Sequence, residues 1–506
     1  MKNALLHDGL RFWAVEQPDR IALTLDDDQE LSYGALHRWS GGAAAHLTAI
    51  GVRPGDPVGI IGANAVEWVV WAFAVLRAGG VIVPFNERFV AGELAYLIET
   101  VEPRAIIADA PRLEVISPVI GNATPVAMES APSFRDGPPT GWAEPRVASD
   151  SLAQIIFTSG TTGRPKGVMI SHERLLSKYF EMRLMVPEFG GPDLRPLMMV
   201  SLHSGLGTTW GYLFATTNGG TFSFMRRFDP ALALRILVER KITNLSSFPL
   251  MLEQIALVPG FAEADLSSID MAITGGTRVP ASVLTTWREK GVLLRQMYGL
   301  TEVGNYATIG SALEVRENRR SCGRQMIFTQ LRIVRPDGTE CDVDEAGEIR
   351  AKGPGMMVGY WKNPEATAAA FEDGWLKTGD RGSLDADGYL TFVDREKDMI
   401  ITGGFNVSPS EIEFAISEFG GIDEVAVIPV PDPRFGETPA ACIHAAVPVD
   451  ADALFAHCKA QLAGFKLPRY IIASDEKLPR NANAKIDKKL LTARYADAPS
   501  RYPKLG

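Results

Sequence analysis

Residues 157–172 read FTSGTTGRPKGVMISH, a string suited to holding an anion. Gly160, Gly163 and Gly167 let backbone N–H groups turn inward. Thr158, Ser159, Thr161 and Thr162 add hydroxyl donors, and Arg164 and Lys166 add positive charge. Together these are the groups that cradle a triphosphate. The string is not a Walker A loop, which needs Gly, four residues, then Gly-Lys-Ser/Thr. Counted from Gly160, the second glycine falls on Pro165. Positive charge also gathers over residues 466–489, with Lys466, Arg469, Lys477, Arg480, Lys485, Lys488 and Lys489 against Asp475, Glu476 and Asp487. Such a run is either a solvated face or a partner for a polyanionic small ligand. The net charge of −10 argues against a nucleic-acid binder, which carries a basic face.

These groups need a scaffold. A chain of 506 residues holds roughly two to five domains. Hydrophobic residues make up 46 % of it and charged residues 22 %. That is ample material for a core, which excludes a disordered chain. Apolar runs at 57–61, 81–84, 105–108, 154–158, 198–202 and 271–274 predict strands, and helical periods at 65–77 and 230–240 lie between them. Strands of this kind alternating with helices predict largely parallel sheets covered on both faces. The anion-holding string follows one of these strands. No uncharged apolar run is as long as a membrane span. Arg77 and Gly79-Gly80 break the nearest candidate, residues 68–85. Residues 130–150, rich in Pro, Gly and Ala, read as a surface connection. Cys322, Cys341, Cys442 and Cys458 are widely spaced, which fits a reducing, cytoplasmic setting and argues against a disulfide framework or structural zinc.

After about residue 330 turn signals crowd together at 336–338, 373–374 and 386–388, predicting hairpins of a smaller β-rich part. Beyond Asp398, Ser408 before Pro409 starts a helix. A strand at 424–430, a strand at 440–446, a helix at 451–462 and a short strand at 470–473 then predict a small α+β domain.

Six motifs in order make the chain resemble the adenylate-forming superfamily of acyl-CoA synthetases, nonribosomal peptide synthetase adenylation domains and beetle luciferases. They are the string at 157–172, YGLTE at 298–302, the run from GEIR at 347–350 to Gly359-Tyr360-Trp361, GWLKTGD at 374–380, DREKD at 394–398, and Pro479-Arg480 running to Lys485. The resemblance implies an α/β fold: a large N-terminal domain, 1–396, of two αβ subdomains with parallel sheets plus a β-barrel, and a small mobile α+β C-terminal domain, 397–506. It implies two steps. A carboxylate attacks the α-phosphorus of ATP and expels pyrophosphate, then a thiol, usually of coenzyme A, attacks the acyl-adenylate and expels AMP.

It also implies roles. Thr158, Ser159, Gly160, Thr161, Thr162, Gly163 and Lys166 would hold the phosphates. Glu302 and Thr162 would hold Mg²⁺, which needs few protein carboxylates. Tyr298 would stack on adenine opposite Gly275, Gly276 and Thr277, with Gly299 and Thr301 beside it. Asp380 would accept from both ribose hydroxyls, as a two-oxygen carboxylate suits a vicinal diol, with Arg395 as its companion. Lys485 would bridge substrate carboxylate and α-phosphate, where a preorganised donor contributes roughly 3–4 kcal/mol. Ala484 departs from the family's usual glycine before this lysine, and a left-handed backbone there would cost alanine about 1–2 kcal/mol. Lys397 falls at the hinge, and Gly403 and Gly404 would let a pantetheine arm pass.

His203 matches a histidine near the acyl carboxylate; the substrate acid is already ionised at neutral pH, so no base is needed. Leu206, Trp210, Phe248, Thr274, Gly299 and Leu300 complete an acyl pocket with an apolar lining. The stretch SLHSGLGTTWGYLF has no acid to pair with an α-amine, and no Gly-Gly-x-Ser follows Lys485, so a carrier-protein feeder is the weaker reading. A non-catalytic nucleotide-binding relative would lack Lys485, Glu302 or Asp380, and all are present. The expectation is an acid–coenzyme A ligase, monomeric or dimeric, for medium-chain fatty or aryl/alicyclic acids. No paired arginines are there for a second carboxylate.

Overall fold

The computed structural model describes residues 4–158, 165–191, 193–276, 279–311, 321–395, 398–402, 405–481 and 485–505. The chain divides into two compact units: residues 1–331, 351–377 and 388–390 form one, and residues 332–350, 378–387 and 391–506 the other.

The first unit is built on two sheets. One is seven-stranded, in the order Gly359–Tyr360, Lys166–Ser171, Leu152–Thr158, Val81–Pro84, Pro57–Ile61, Ala105–Ala108, Thr124–Ala127. Its strands PVGII, VIVP and AIIA pair in parallel and are buried throughout, as a sheet covered on both faces requires. The other is nine-stranded, in the order Arg324–Gln325, Thr308–Ile309, Leu294–Tyr298, Met271–Gly275, Asn244–Ser247, Pro196–Met198, Phe222–Phe224, Ile21–Leu25, Gln29–Ser32. Its central pairs are parallel. Helix Val66–Arg77 packs against strands of both sheets. That placement explains why every residue of VEWVVWAFAVLR except Glu67 is buried: a helix between two sheets has no wet face. Among the described residues no helix is long and apolar enough to cross a membrane.

Most of these elements lie within a residue or two of where the sequence predicts them, and one segment differs. The apolar run predicts a strand over 198–202, but the strand covers Pro196–Met198 and the chain then leaves the ladder. The Asn64 side chain takes over: its amide donates to the carbonyls of Val200 (3.3 Å) and Met225 (2.8 Å), and its oxygen accepts from the N–H of Leu202 (2.8 Å). An apolar run cannot reveal a side chain that replaces a strand partner. The connection over 130–150 is tethered as well, since Glu144 pairs with Arg77 at 2.6 Å.

A half-barrel sheet contains Gln330–Val334, Gly347–Lys352, Phe371–Glu372, Trp375–Leu384 and Leu390–Arg395. At its turn between Phe371–Glu372 and Trp375–Leu384, Asp373 (φ 51°) and Gly374 (φ 78°) both have positive φ. That is the type I′ geometry, which matches strand twist. The second unit holds a five-stranded sheet in which Glu424–Asp432 and Gly436–His444 form a long hairpin and Tyr470–Ser474 joins in parallel. The second of these strands runs 436–444 rather than 440–446, because all nine of its residues pair with the preceding strand. Helix Pro409–Ser417 is capped by Ser408, whose hydroxyl accepts from the N–H of Glu411 and donates to Asp394 at 2.9 Å.

Candidate active site

Glu302 stands where the two sheets of the first unit meet. It rides on the turn Thr301–Val303, which Gly299 and Leu300 enter from strand Leu294–Tyr298 of the nine-stranded sheet. Its oxygen accepts from Tyr360 Oη at 3.2 Å and Thr158 Oγ1 at 3.4 Å, both at strand ends of the seven-stranded sheet. Strand Gly359–Tyr360 pairs with Lys166–Ser171, and the ammonium of Lys166 lies 5.1 Å from the centre of the Tyr360 ring. Thr158, Lys166, Tyr360 and Glu302 thus form one cluster of donors, cation and carboxylate. Burial first, then the Glu302 carboxylate, holds the Tyr360 hydroxyl well above its ordinary range, so it stays a donor. Tyr360 is not among the residues expected from sequence. Its place in Gly359-Tyr360-Trp361 is a visible signal, but only the strand pairing brings it to Glu302.

The backbone of the Glu302 turn is held from below. The N–H of Met357 donates to the Glu302 carbonyl at 2.8 Å, and Arg174 donates to the carbonyls of Met356 and Met357. Lys178 comes from the same helix, His172–Met185, and lies against Gly304 and Gly355; a methyl group at Gly304 would sit 2.8 Å from its stem. Its ammonium is buried, bonded to Glu181 at 2.6 Å and Thr329 at 2.8 Å, and Glu181 also accepts from the N–H of Phe328 at 2.7 Å. A buried pair of this kind survives only with its hydrogen bonds satisfied.

The acyl-pocket candidates gather at the carboxyl ends of the nine-stranded sheet, where open α/β sheets bind ligands. His203 follows the segment fixed by Asn64. Burial first, then Arg88, lowers its pKa to about 4, so the imidazole is neutral at pH 7. Leu206 lies in the short turn Gly205–Gly207, capped by Ser204. The chain continues as a π-helix over Thr208–Leu213 that presents Trp210, broken at Gly211. Trp210 is buried; its indole N–H donates to the Gly304 carbonyl at 3.2 Å, and its ring meets Tyr179, Phe189, Phe214 and Tyr306. Thr274 and Gly275 end strand Met271–Gly275. Gly276 follows at φ 77°, with Phe248 packed where a side chain would go, 3.1 Å from its Cβ position. Tyr298 is buried at the end of its strand, its N–H bonded to Thr308 Oγ1 at 3.1 Å. Arg88 is exposed and acts on His203 electrostatically; nothing in the sequence links the two.

In the second unit Asp380 is buried on strand Trp375–Leu384, its N–H bonded to Thr378 Oγ1 at 3.1 Å. Lys485 is exposed; the N–H of Asn481 donates to its carbonyl at 2.8 Å, and the Asn481 side chain accepts from the Lys485 N–H at 3.2 Å. Ser159, Gly160, Thr161, Thr162, Gly163, Thr277, Lys397, Gly403, Gly404 and Ala484 lie outside the described residues, as does the side chain of Arg395.

Comparison with known proteins gives this geometry a setting. The model of the family described as AMP-binding enzyme matches residues 10–361, and that of the AMP-binding enzyme C-terminal domain matches residues 411–485. The chain is 34 % identical over 471 residues to a feruloyl-CoA synthase of Amycolatopsis sp, covering 92 % of this chain and 94 % of that protein. It is 32 % identical over 492 residues to the long-chain-fatty-acid–CoA ligase FadD13 of Mycobacterium tuberculosis, covering 93 % and 94 %. The structure of o-succinylbenzoate coenzyme A synthetase from Bacillus subtilis in complex with ATP and magnesium ion superposes with a TM-score of 0.86 at 28 % identity, covering 97 % of this chain and 99 % of that one.

Proposed function

The chain belongs to the AMP-binding enzyme family, and within that family's chemistry we propose that the meeting point of its two sheets receives the ATP phosphates while Lys485 serves the first chemical step. The enzyme is an AMP-forming acid–coenzyme A ligase for fatty or aryl/alicyclic acids, using ATP, Mg²⁺ and coenzyme A. The acid's carboxylate oxygen bonds to the α-phosphorus as pyrophosphate leaves; the thiol sulfur then bonds to the acyl carbon as AMP leaves.

The observation that carries the proposal is the pair of hydrogen bonds from Thr158 and Tyr360 onto one oxygen of Glu302. They orient the carboxylate at the meeting point of the sheets. Among the described residues no three His, Cys, Asp or Glu side chains converge on a metal site. Mg²⁺ fits this arrangement, because it takes one or two carboxylates and completes its shell with phosphate and water. When bound with ATP it neutralises charge on the phosphates. Lys166 adds charge beside it, and the hydroxyl of Thr158 turns between carboxylate and phosphate.

Lys485 brings a fixed ammonium to two anions that must approach one another. Asp380 orients the ribose, and Tyr298 and Gly276 bracket the adenine. Neutral His203 donates to or accepts from the acyl carboxylate without competing for its proton. Arg88 at the same end offers a cation to the phosphates of coenzyme A. Residues 1–396 act as the platform and 397–506 as the domain that turns at Lys397 between steps. The aromatic wall of Trp210 and Tyr306 favours a ring-bearing acid over a long chain. Cys322, Cys341, Cys442 and Cys458 form no disulfide with one another, which fits an enzyme of a reducing cytoplasm.

The test is to incubate the pure protein with ATP, Mg²⁺, coenzyme A and a panel of carboxylic acids, following AMP and acyl-CoA together. Equal amounts of both with ring-bearing acids are expected. Turnover of straight-chain acids alone would overturn the ring preference, and pyrophosphate without thioester would overturn coenzyme A as acceptor.

A further inference from the structure

A lysine on a flexible stem is aimed by the backbone that carries it. Residues 479–481 and 485–487 lie against each other as two arms. The N–H of Asp487 donates to the Pro479 carbonyl at 2.7 Å, and Arg480 and Ile486 form an antiparallel bridge. Apolar contacts hold these arms to the domain: Leu478 is buried in a cluster with Ile428, Ile472 and Leu491, and Ile486 packs against it. Such contacts are not directional. The directional tie is Glu424, the first residue of strand Glu424–Asp432. One oxygen of its carboxylate accepts from the N–H of Leu478 at 2.7 Å, and the other accepts from the Arg480 guanidinium at 2.7 Å. The Glu424 side chain is only 11 % exposed, so solvent screens this pair less than an open surface pair. The topology explains why a tie is needed at this point. Glu424, His444 and Ser474 stand in register across three neighbouring strands. The chain leaves the sheet at Ser474, and four residues later Leu478 is bonded to Glu424, two strands away and roughly 10 Å across at the usual strand spacing. Glu424 therefore catches the chain at the end of its crossing, just before the arms begin.

We propose that Glu424 is a positioning residue for the first half-reaction: by gripping Leu478 and Arg480 it sets the direction in which the arms, and with them Lys485, leave the domain. The inference rests on the reading of Lys485 as the residue of the adenylation step. Glu424 touches neither substrate nor nucleotide in this role. It acts through two charge-assisted hydrogen bonds, which are shorter and stronger than neutral ones and fix an angle as well as a distance. The same strand offers an internal comparison. At its other end Asp432 accepts from the ammonium of Lys504 at 2.7 Å, a tie to the end of the chain rather than to the arms. Loss of either acid–base contact removes an ion pair from one strand, but only the loss at Glu424 reaches Lys485.

Single-turnover measurements of the two half-reactions on the full-length protein test this, with Lys485→Ala and Lys504→Met run beside the Glu424 variants. Glu424→Ala is expected to slow adenylation by roughly 10–100-fold, because a misplacement of about 1 Å costs on that order, and to spare thioester formation from preformed adenylate. Glu424→Gln keeps an acceptor for the Leu478 N–H and loses only the charge, so it should show the same split at smaller size, and it serves should Glu424→Ala misfold. Glu424→Gln combined with Arg480→Gln should cost little more than the larger single loss, since partners in one contact are not additive. Lys504→Met should lower the urea midpoint and leave both half-reactions alone. Equal slowing of both half-reactions by the Glu424 variants would overturn the inference, and so would the same split in Lys504→Met, the mark of a general weakening of the domain. Additive losses in the double variant would also overturn it, because Arg480 would then act on the nucleotide by itself. Adenylation untouched in Lys485→Ala would bring down the reading of Lys485 and this inference with it, whereas adenylation slowed in Lys485→Ala but untouched in both Glu424 variants would overturn the inference alone.

Discussion

The two sheets of the first unit differ in where they keep polar side chains. Strands PVGII, VIVP and AIIA of the seven-stranded sheet carry none, and their neighbour Leu152–Thr158 carries one buried amide, Gln154, and a hydroxyl at the very end, beside Glu302. In the nine-stranded sheet, NLSS, MAITG and LRQMY carry several. At the amino ends of those strands the polar groups are matched: Asn244 donates to the Glu188 carbonyl at 3.1 Å, and Arg295 pairs with the Glu188 carboxylate at 3.0 Å. At the carboxyl ends Thr274, and Tyr306 just beyond, are not matched among the described residues. Strands that only support can be apolar throughout, whereas strands that end at a site must keep polar groups ready for it. The difference teaches that the chemistry lies at the seam, and that the seam has to be stitched.

The largest expected effect comes from cutting a stitch. Lys178→Ala leaves Glu181 buried and uncompensated, which should cost about 3–5 kcal/mol of stability. Lys178→Met with Glu181→Gln removes both charges and keeps an acceptor for the Phe328 N–H, so it should recover much of that loss. Urea unfolding of the three proteins checks it; a Lys178→Ala midpoint equal to the wild type would mean that the pair holds nothing together.

Next is the charge that neither sheet supplies. Lys485→Ala should slow adenylation by roughly 10²–10³-fold, the usual worth of a preorganised donor, and spare thioester formation from preformed adenylate. Single-turnover measurements of the two half-reactions separate these outcomes. Equal loss in both would place Lys485 outside the first step. By the same assay Lys397→Pro should spare adenylation more than thioester formation.

A smaller effect should appear with acid. His172 starts the helix that carries Lys178, and its Nδ1 accepts from the N–H of Leu6 at 3.2 Å. Burial first, then His7, lowers its pKa to about 3. Burial first, then Arg77, lowers that of His37 to about 4. Both are neutral in the fold, so the unfolded chain takes up their protons first. Their contribution is intact above the ordinary histidine pKa of about 6.5 and is lost as pH falls from there toward about 4. Glu144 behaves differently. Burial raises its pKa, but His7 and Arg77 outweigh this and bring it to about 2, so its contribution fades only below the ordinary carboxylate range. The urea midpoint should therefore drop between pH 7 and pH 5, and drop less in His172→Gln. A flat profile would contradict the assignment.

Most of the fold was legible because apolar strands and helical periods report burial directly. Strands 57–61, 81–84 and 105–108 match residue for residue. What stayed hidden were interactions between distant side chains. Asn64 replacing a strand partner, Glu144 tethering a long connection and Lys178 filling the space beside Gly304 leave no periodic trace. The site was legible in part for the same reason. Thr158, Lys166 and Glu302 stood out by motif, whereas Tyr360 joins them only through a two-residue antiparallel pairing. The orphan hydroxyls of Thr274 and Tyr306 are visible only once every neighbour has been accounted for.

The central claim is that the carboxylate at the seam works through Mg²⁺ on the ATP phosphates. Calorimetric titration of ATP into the wild type and Glu302→Gln, each with Mg²⁺ and with EDTA, tests it without relying on turnover. The account predicts that Mg²⁺ tightens ATP binding to the wild type, and that Glu302→Gln loses roughly tenfold or more of that gain, as removing a hydrogen-bonded charge from a metal site should. An equal gain from Mg²⁺ in both proteins would contradict it.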